Sequence, residues 1–294
     1  MEIERKKLNI VFTIDENFIR HFAVALVSVL ENNKDLDLRI FVIHDLENSE
    51  KLDKVLSFFE SRYGISVEQR SLSSSALENY KVSHHLSKAV YFRLFLTDIL
   101  PPEIDKILFL DSDLVVTSSL SFFADFEFQQ QALLAQDDIE LELNIQRLRD
   151  MGFPLKRYFN AGVLLINLKL WRERNMAAKF MEIANAYMDK LAWWDQDILN
   201  ICFYDQWEYF DKTYNSLHLR HKLKKRPVII HYAGPSKPWQ YMNNNPYKSQ
   251  YWKYHRMTPF KHIPIEGRTL KSIWRKNYII FKVFLINTFT DKNY

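Results

Sequence analysis

The segment Lys106-Ile-Leu-Phe-Leu-Asp-Ser-Asp-Leu-Val-Val116 decides how the chain is read. Ile107 to Leu110 form an unbroken apolar run, the pattern of a strand covered on both faces of a sheet. Asp111 and Asp113 follow at its carboxyl end, where open α/β sheets bind their ligands. Residues two apart in an extended segment project to the same side, so the two carboxylates converge. Converging carboxylates repel unless a cation lies between them, and oxygen ligands suit Mg²⁺ or Mn²⁺. The competing reading is a strand that runs into a solvated acidic turn. The rest of the chain has to choose.

Upstream, Leu8 to Ile14 reads as a first buried strand followed by the polar turn Asp15-Glu-Asn17-Phe18. Phe22, Leu26, Val29 and Leu30 recur at helical spacing over residues 21–31. Leu38 to His44 is a second strand, Ser49 caps a helix reaching Tyr63, and Ile65 to Arg70 is a third strand. Short strands alternating with crossover helices predict an α/β, doubly wound sheet of mainly parallel strands. Lys88 to Leu100 reads as a helix stopped by Pro101-Pro102, with Arg93 as its lone buried-face cation. Downstream come a strand at Ala132 to Gln136, a helix over 140–149, and a strand from Asn160 to Leu168 with Gly162 near its start. Glycine there lets a ligand or another backbone approach closely. A long helix spans Trp171 to Met188, another begins at Trp193 with Asp195 as its cap, and Val228 to His231 is the last strand.

Composition narrows the classes. The 294 residues are 47% hydrophobic and 26% charged, an ordinary globular balance. A single cysteine, Cys202, forms no internal disulfide, which favours a reducing compartment. The amino terminus shows no signal peptide, and no apolar stretch is as long as a membrane span, so a cytoplasmic protein is expected. Five glycines in all leave no G-x-G-x-x-G or Walker loop, so a nucleotide must be held by other means. The net charge of +4 is uneven: residues 259–294 carry seven Lys/Arg against two Asp/Glu, leaving the remainder at −1. A near-neutral body argues against nucleic acid as a partner, and the basic end argues for a local anionic one.

The segment His231-Tyr-Ala-Gly-Pro-Ser-Lys-Pro-Trp239 settles the choice. His231 ends a strand, so it can face the same pocket at the sheet's carboxyl edge as Asp113. Imidazole beside two carboxylates suits Mn²⁺ better than Mg²⁺. Gly234 leaves room for a diphosphate, and Lys237 can cancel charge on a leaving phosphate.

With these segments in order, the chain resembles the family-8 retaining glycosyltransferases. These include bacterial lipopolysaccharide α-galactosyl- and α-glucosyltransferases and glycogenin. The resemblance covers roughly residues 8–240 and rests on five segments. They are Ile10 to Asn17, Leu110 to Val115, Tyr158 to Leu168, Asp195 to Asn200, and His231-x-x-Gly-x-x-Lys-Pro-Trp239. It implies a GT-A type, Rossmann-like fold, with a UDP-hexose donor, galactose or glucose, and an α-linked product on an oligosaccharide or lipid-linked saccharide acceptor. Thr13, Asp15, Asn17 and Phe18 would border uracil and ribose, and His85, Leu86 and Arg93 would also border the nucleotide-sugar. Asp111, Ser112 and Asp113 would line the donor site. Asp111, Asp113 and His231 would hold Mn²⁺, or Mg²⁺, against both phosphates. Asp137, Asn160, Ala161, Gly162, Asp195 and Gln196 would face the hexose, with Asp195 and Gln196 as the catalytic pair. Gly234 and Lys237 would contact the diphosphate. Neighbours leave two assignments open by one position, His84 for His85 and Asp138 for Asp137.

The basic excess of residues 259–294, beyond every matched motif, divides the chain into a catalytic domain, residues 1–258, and a tail, residues 259–294. In the tail, Leu270, Ile273, Trp274, Tyr278, Phe281, Phe284 and Leu285 fall on one helical face, and Lys271, Arg275, Lys276 and Lys282 lie largely elsewhere. That pattern fits a helix lying on anionic lipid, hence a peripheral protein on the inner face of the cytoplasmic membrane. A helix docked on the enzyme itself or on a second subunit is the alternative. For the whole chain, an Asp-x-Asp phosphohydrolase explains Asp111 locally but not His231 to Trp239. A non-catalytic sugar-nucleotide or glycan-binding module would have no need of the full set of metal ligands.

Overall fold

The computed structural model describes residues 5–71, 91–217 and 221–278. The amino-terminal half alternates as expected: β1 (Lys6–Thr13), α1 (Ile19–Asn32), β2 (Leu36–His44), α2 (Glu50–Tyr63) and β3 (Val67–Ser71). Ser49 caps α2, its side chain accepting from Leu52 N, and Gly64 closes the helix in the left-handed region at φ +65°. Next come α3 (Leu96–Ile99), β4 (Lys106–Leu110), β5 (Leu114–Val116), α4 (Ser121–Asp125), β6 (Leu133–Asp137) and α5 (Leu141–Asp150). The carboxyl-terminal part runs β7 (Phe159–Asn167), α6 (Leu168–Glu173), α7 (Met176–Tyr187), α8 (Trp194–Cys202), β8 (Trp207–Tyr209), β9 (Ile229–His231) and α9 (Lys248–His255). Among the described residues no helix is long and apolar enough to cross a membrane.

Seven strands form one sheet in the order β3-β2-β1-β4-β7-β6-β8. β1 pairs in parallel with both β2 and β4, so the connections wind outward on one side and then return to the other. The switch point therefore lies between the carboxyl ends of β1 and β4, where Thr13 and Asp111 stand. β7 is antiparallel to both β4 and β6, with Leu110 opposite Val163 and Asp137 opposite Phe159. That reversal brings the start of β7, Asn160 to Gly162, to the same edge as the end of β4. Alternation along the strands feeds two cores. Ile10, Phe12, Leu108 and Leu110 pack under α1 and α2, while Val11, Ile107 and Phe109 pack with Trp171, Phe180 and Leu199 on the opposite face.

Several expectations are corrected. The helix expected over 88–100 is, in its described part, a 3₁₀ turn at Phe92–Phe95 followed by the one-turn α3. The helix expected over 171–188 is two helices, broken where Asn175 takes a left-handed φ of 50°. Asp195 does not cap α8. Trp193 stands at the cap, and buried Asp197 accepts from Ala192 N and Trp193 N, both at 2.9 Å. His231 does not end a strand of the main sheet. It lies on a separate two-stranded ribbon, where β9 runs antiparallel to β5 with His231 opposite Leu114.

That ribbon is small, and α1 supplies what the main sheet does not. Ser28 Oγ accepts from Val116 N at 2.8 Å and donates to Ala25 O at 2.6 Å, while Asn32 Nδ2 donates to Val116 O at 3.1 Å. Asn33 Oδ1 accepts from Leu120 N at 2.6 Å just beyond. Polar residues on the buried face of α1 thus satisfy backbone that would otherwise be left unpaired. Ser28→Ala should cost about 1–3 kcal/mol, because it strands the Val116 N–H. Urea unfolding checks this, and an unchanged midpoint would contradict it.

Candidate active site

Asp111, Asp113 and His231 converge, each offering a ligand atom within 4.8 Å of the other two. His231 Nε2 lies 3.2 Å from Asp113 Oδ1 and 3.7 Å from Asp111 Oδ2. The other ring nitrogen, Nδ1, is 2.9 Å from Asn215 Oδ1. An amide oxygen there calls for the proton on Nδ1, which leaves the Nε2 lone pair aimed between the carboxylates. The donor set and its spacing fit a divalent cation.

Positive charge braces each carboxylate from outside. Arg93 Nη2 donates to Asp111 Oδ1 at 2.9 Å, Nη1 donates to Ala161 O at 2.8 Å, and the guanidinium lies 4.4 Å over the Phe109 ring. Lys237 Nζ donates to Asp113 Oδ2 and, at 3.0 Å, to Tyr232 O. Burial pushes the Asp113 carboxyl up, but the His231 ring and the Lys237 ammonium beside it outweigh that and hold it well below the usual range. Among all these groups sits Gly162. A Cβ there would lie 2.1 Å from His231 Cε1 and 2.6 Å from Asp111 Oδ2. Only the absence of a side chain lets β7 pass this close.

Next to the triad lies a second polar cluster. Arg93 Nε approaches Asp195 Oδ2 at 2.7 Å as a charge contact without hydrogen-bond alignment. Burial raises the Asp195 carboxyl to about 6, opposed by Arg93 and reinforced by Asp111. Gln196 Oε1 accepts from Ala161 N at 2.9 Å and from Asn160 Nδ2 at 3.3 Å, and Nε2 donates to Tyr158 OH at 3.2 Å. Asn160 also donates to Asp138 Oδ2 at 3.0 Å and accepts from Asn215 Nδ2 at 3.0 Å. A chain of hydrogen bonds therefore runs from His231 through Asn215 and Asn160 to Gln196. Trp194, immediately before Asp195, holds a left-handed φ of 27°, a costly conformation of the kind found where a site is over-determined by its surroundings.

At the end of β1, Asp15 Oδ1 accepts from Asn17 N at 2.9 Å and Phe18 N at 3.1 Å, turning the chain into α1. Ser112 Oγ donates to Thr13 O at 3.4 Å, which ties this turn to the acidic loop. Gly234 takes a φ of 82° in the loop leading to Lys237. Thr13 to Phe18, Arg93, Asp111 to Asp113, Asn160 to Gly162, Asp195, Gln196, His231 and Lys237 thus gather at one edge. Asp137 faces the Tyr209 hydroxyl and Arg157 instead, and its neighbour Asp138 joins the Asn160 and Gln196 network. His85 and Leu86 lie outside the described residues. Sequence reasoning missed Asn215 and gave Tyr158, which opens a matched segment, no role of its own; Asn215 falls in a stretch without motifs, and its contacts with His231 and Asn160 reveal it. A separate cleft of about 1160 Å³, floored by Phe58 and Phe260 between α2 and residues 259–263, is lined by none of Asp111, Asp113, His231 and Lys237.

This architecture is that of a GT-A type glycosyltransferase. The chain matches glycosyl transferase family 8 over residues 9–243 and belongs to that family. It is 27% identical to a lipopolysaccharide 1,2-glucosyltransferase of Escherichia coli, over 99% of this chain and 91% of that one. It is also 26% identical to general stress protein A of Bacillus subtilis (strain 168), over 87% of this chain and 96% of that one. Its fold superposes on galactosyltransferase LgtC, solved with donor and acceptor sugar analogs, with a TM-score of 0.74 and 26% identity, covering 86% of this chain and 96% of LgtC. Family membership sets aside the phosphohydrolase reading.

Gly162→Ala tests whether the crowded triad is the metal site. The variant should fold, by circular dichroism, yet bind Mn²⁺ about ten- to a hundredfold more weakly in an electron paramagnetic resonance titration. Wild-type affinity would place the metal elsewhere.

Proposed function

We propose that this chain is a retaining glycosyltransferase that moves a hexose, galactose or glucose, from a UDP-sugar to an oligosaccharide or lipid-linked saccharide of the lipopolysaccharide type, forming an α-linkage. The observation that carries the reading is the Asp111–Asp113–His231 triad at the switch point, with Lys237 on one side and Arg93 and Asp195 on the other. The names of the relatives, lipopolysaccharide glucosyl- and galactosyltransferases, support the donor and acceptor classes. A complete metal-ligand set argues for catalysis rather than binding alone.

The triad would hold a divalent cation, and its mixture of carboxylate and imidazole favours Mn²⁺, with Mg²⁺ as the alternative. When bound, the cation supplies positive charge against the diphosphate. Lys237 shifts from Asp113 toward the departing phosphate and offsets the charge that develops there. The turn from Thr13 to Phe18 borders uracil and ribose, and Gly234 keeps the diphosphate side open. Asn160, Ala161, Gly162, Asp195 and Gln196 face the hexose.

The bond from the anomeric carbon to the β-phosphate oxygen breaks, and one to the acceptor oxygen forms on the same face. The acceptor proton passes to the leaving phosphate oxygen, so no separate protein base is needed. Asp195 is paired with Arg93, which lowers its nucleophilicity and favours this route over a covalent intermediate. Its charge, with the amide oxygen of Gln196, supports the electron-poor sugar.

Incubation of UDP-galactose and UDP-glucose with the full chain, with and without Mn²⁺, tests the reading. One donor should be hydrolysed slowly and only with metal, and a transferred sugar should show the small anomeric proton coupling of an α-linkage. No metal-dependent turnover of either sugar, or a β-coupling, would contradict it.

Residues 270–278 are helical, and Leu270, Trp274 and Tyr278 are 88%, 71% and 53% exposed on one face, with the two rings stacked at 5.7 Å. Arg268, Lys271 and Arg275 lie near them in sequence. We read this face as the anchor of a peripheral protein on an anionic cytoplasmic membrane surface. Replacing Leu270 and Trp274 together by Ser should release the protein from anionic vesicles while donor hydrolysis persists. Undiminished sedimentation would remove this face as the anchor.

A further inference from the structure

We propose that Glu266, beyond the expected end of the catalytic domain, is a positioning residue for Lys237. The inference rests on reading Lys237 as the cation that faces the diphosphate. Lysine has a long flexible stem, so the reach of its ammonium depends on where the backbone of its loop is held. Within the loop, Lys237 N donates to Gln240 Oε1 at 3.0 Å and Gln240 N donates to Lys237 O at 3.0 Å. Glu266 adds a brace from outside: its N–H donates to Trp239 O at 2.8 Å, and its carbonyl accepts from Tyr241 N at 2.8 Å. One residue thus brackets Gln240 as a parallel bridge.

The Glu266 side chain then ties this bracket to the nucleotide turn. Its carboxylate pairs with Arg20, which is buried in the first turn of α1, two residues after Phe18. The next residue, His21, stacks on Trp239 with ring centroids 3.4 Å apart and an interplanar angle of 19°, and its Nδ1 lies 2.8 Å from Tyr251 OH. Burial drives the His21 imidazole down to about 2, with Arg20 pushing the same way, so it stacks as a neutral ring. Lys276, in the same segment as Glu266, donates to Tyr241 O at 3.0 Å. The start of α1 therefore fixes, through Glu266 and Trp239, the loop that carries Lys237, while the turn expected to border uracil is held by its own Asp15 bonds to Asn17 N and Phe18 N. Small displacements of a positioned group are costly, which is why a bond remote from the substrate can matter.

A double-mutant cycle on the full chain decides the matter, with UDP binding in the presence of Mn²⁺ measured by calorimetry. Glu266→Ala should weaken binding roughly five- to tenfold, since an ion pair with one buried partner is lost. In a Lys237→Ala background the same substitution should have no further effect, because Glu266 acts through the lysine. Glu266→Gln, which keeps size and backbone pairing, should reproduce the loss if Glu266→Ala proves unstable. Multiplicative effects of the two substitutions, or wild-type affinity in both Glu266 variants, would overturn the inference. Wild-type affinity in Lys237→Ala alone would instead overturn the role given to the lysine, and this inference with it.

Discussion

Two carboxylates two residues apart must be held close together at the end of a buried strand, and the rest of the site is the arrangement that lets them stay. Each is met by a different cation: Arg93 takes one oxygen of Asp111, Lys237 takes one oxygen of Asp113, and the open nitrogen of His231 stands between them. Like charges so placed are tolerable only when opposite charge surrounds them. The two cations and the histidine come from three places: the turn after residue 90, the loop beyond β9, and the ribbon strand β9 itself. The site is therefore a property of the assembled fold, with no single segment sufficient to make it.

The reversed direction of β7 does most to bring these parts together. A parallel strand in that position would have sent Asn160 to Gly162 to the far edge. Running antiparallel, it delivers a glycine against His231 and Asp111 and a backbone carbonyl to Arg93. Asn215 and Asn160 then carry hydrogen bonds from the imidazole to Gln196, so the network that orients His231 continues to the Gln196 amide. This coupling follows from the buried amides of Asn215, Asn160 and Gln196 pairing with one another in a confined space.

The buried strands were legible because unbroken apolar runs such as Ile107 to Leu110 leave little choice of structure. The acidic pair and the His231 to Trp239 segment were legible because few arrangements other than a charged ligand site need them together. What sequence did not reveal depends on packing between distant segments. Nothing local distinguishes Asp195 from an ordinary helix cap; it is Asp197, two residues on, that takes the N–H groups of Ala192 and Trp193, while Asp195 lies against Arg93. The break at Asn175 and the separate β5–β9 ribbon are likewise tertiary outcomes. Residues beyond 258 read as a detached tail by charge, yet Glu266 and Lys276 bond to the Lys237 loop.

The central claim is that the triad is a metal-dependent seat for the diphosphate of UDP. Calorimetric titration of the full chain with UDP, first with Mn²⁺ and then after chelation, tests it most directly. One binding site that disappears on chelation and returns when Mn²⁺ is restored is the result this account predicts. UDP binding that is equally tight with the metal removed would contradict it.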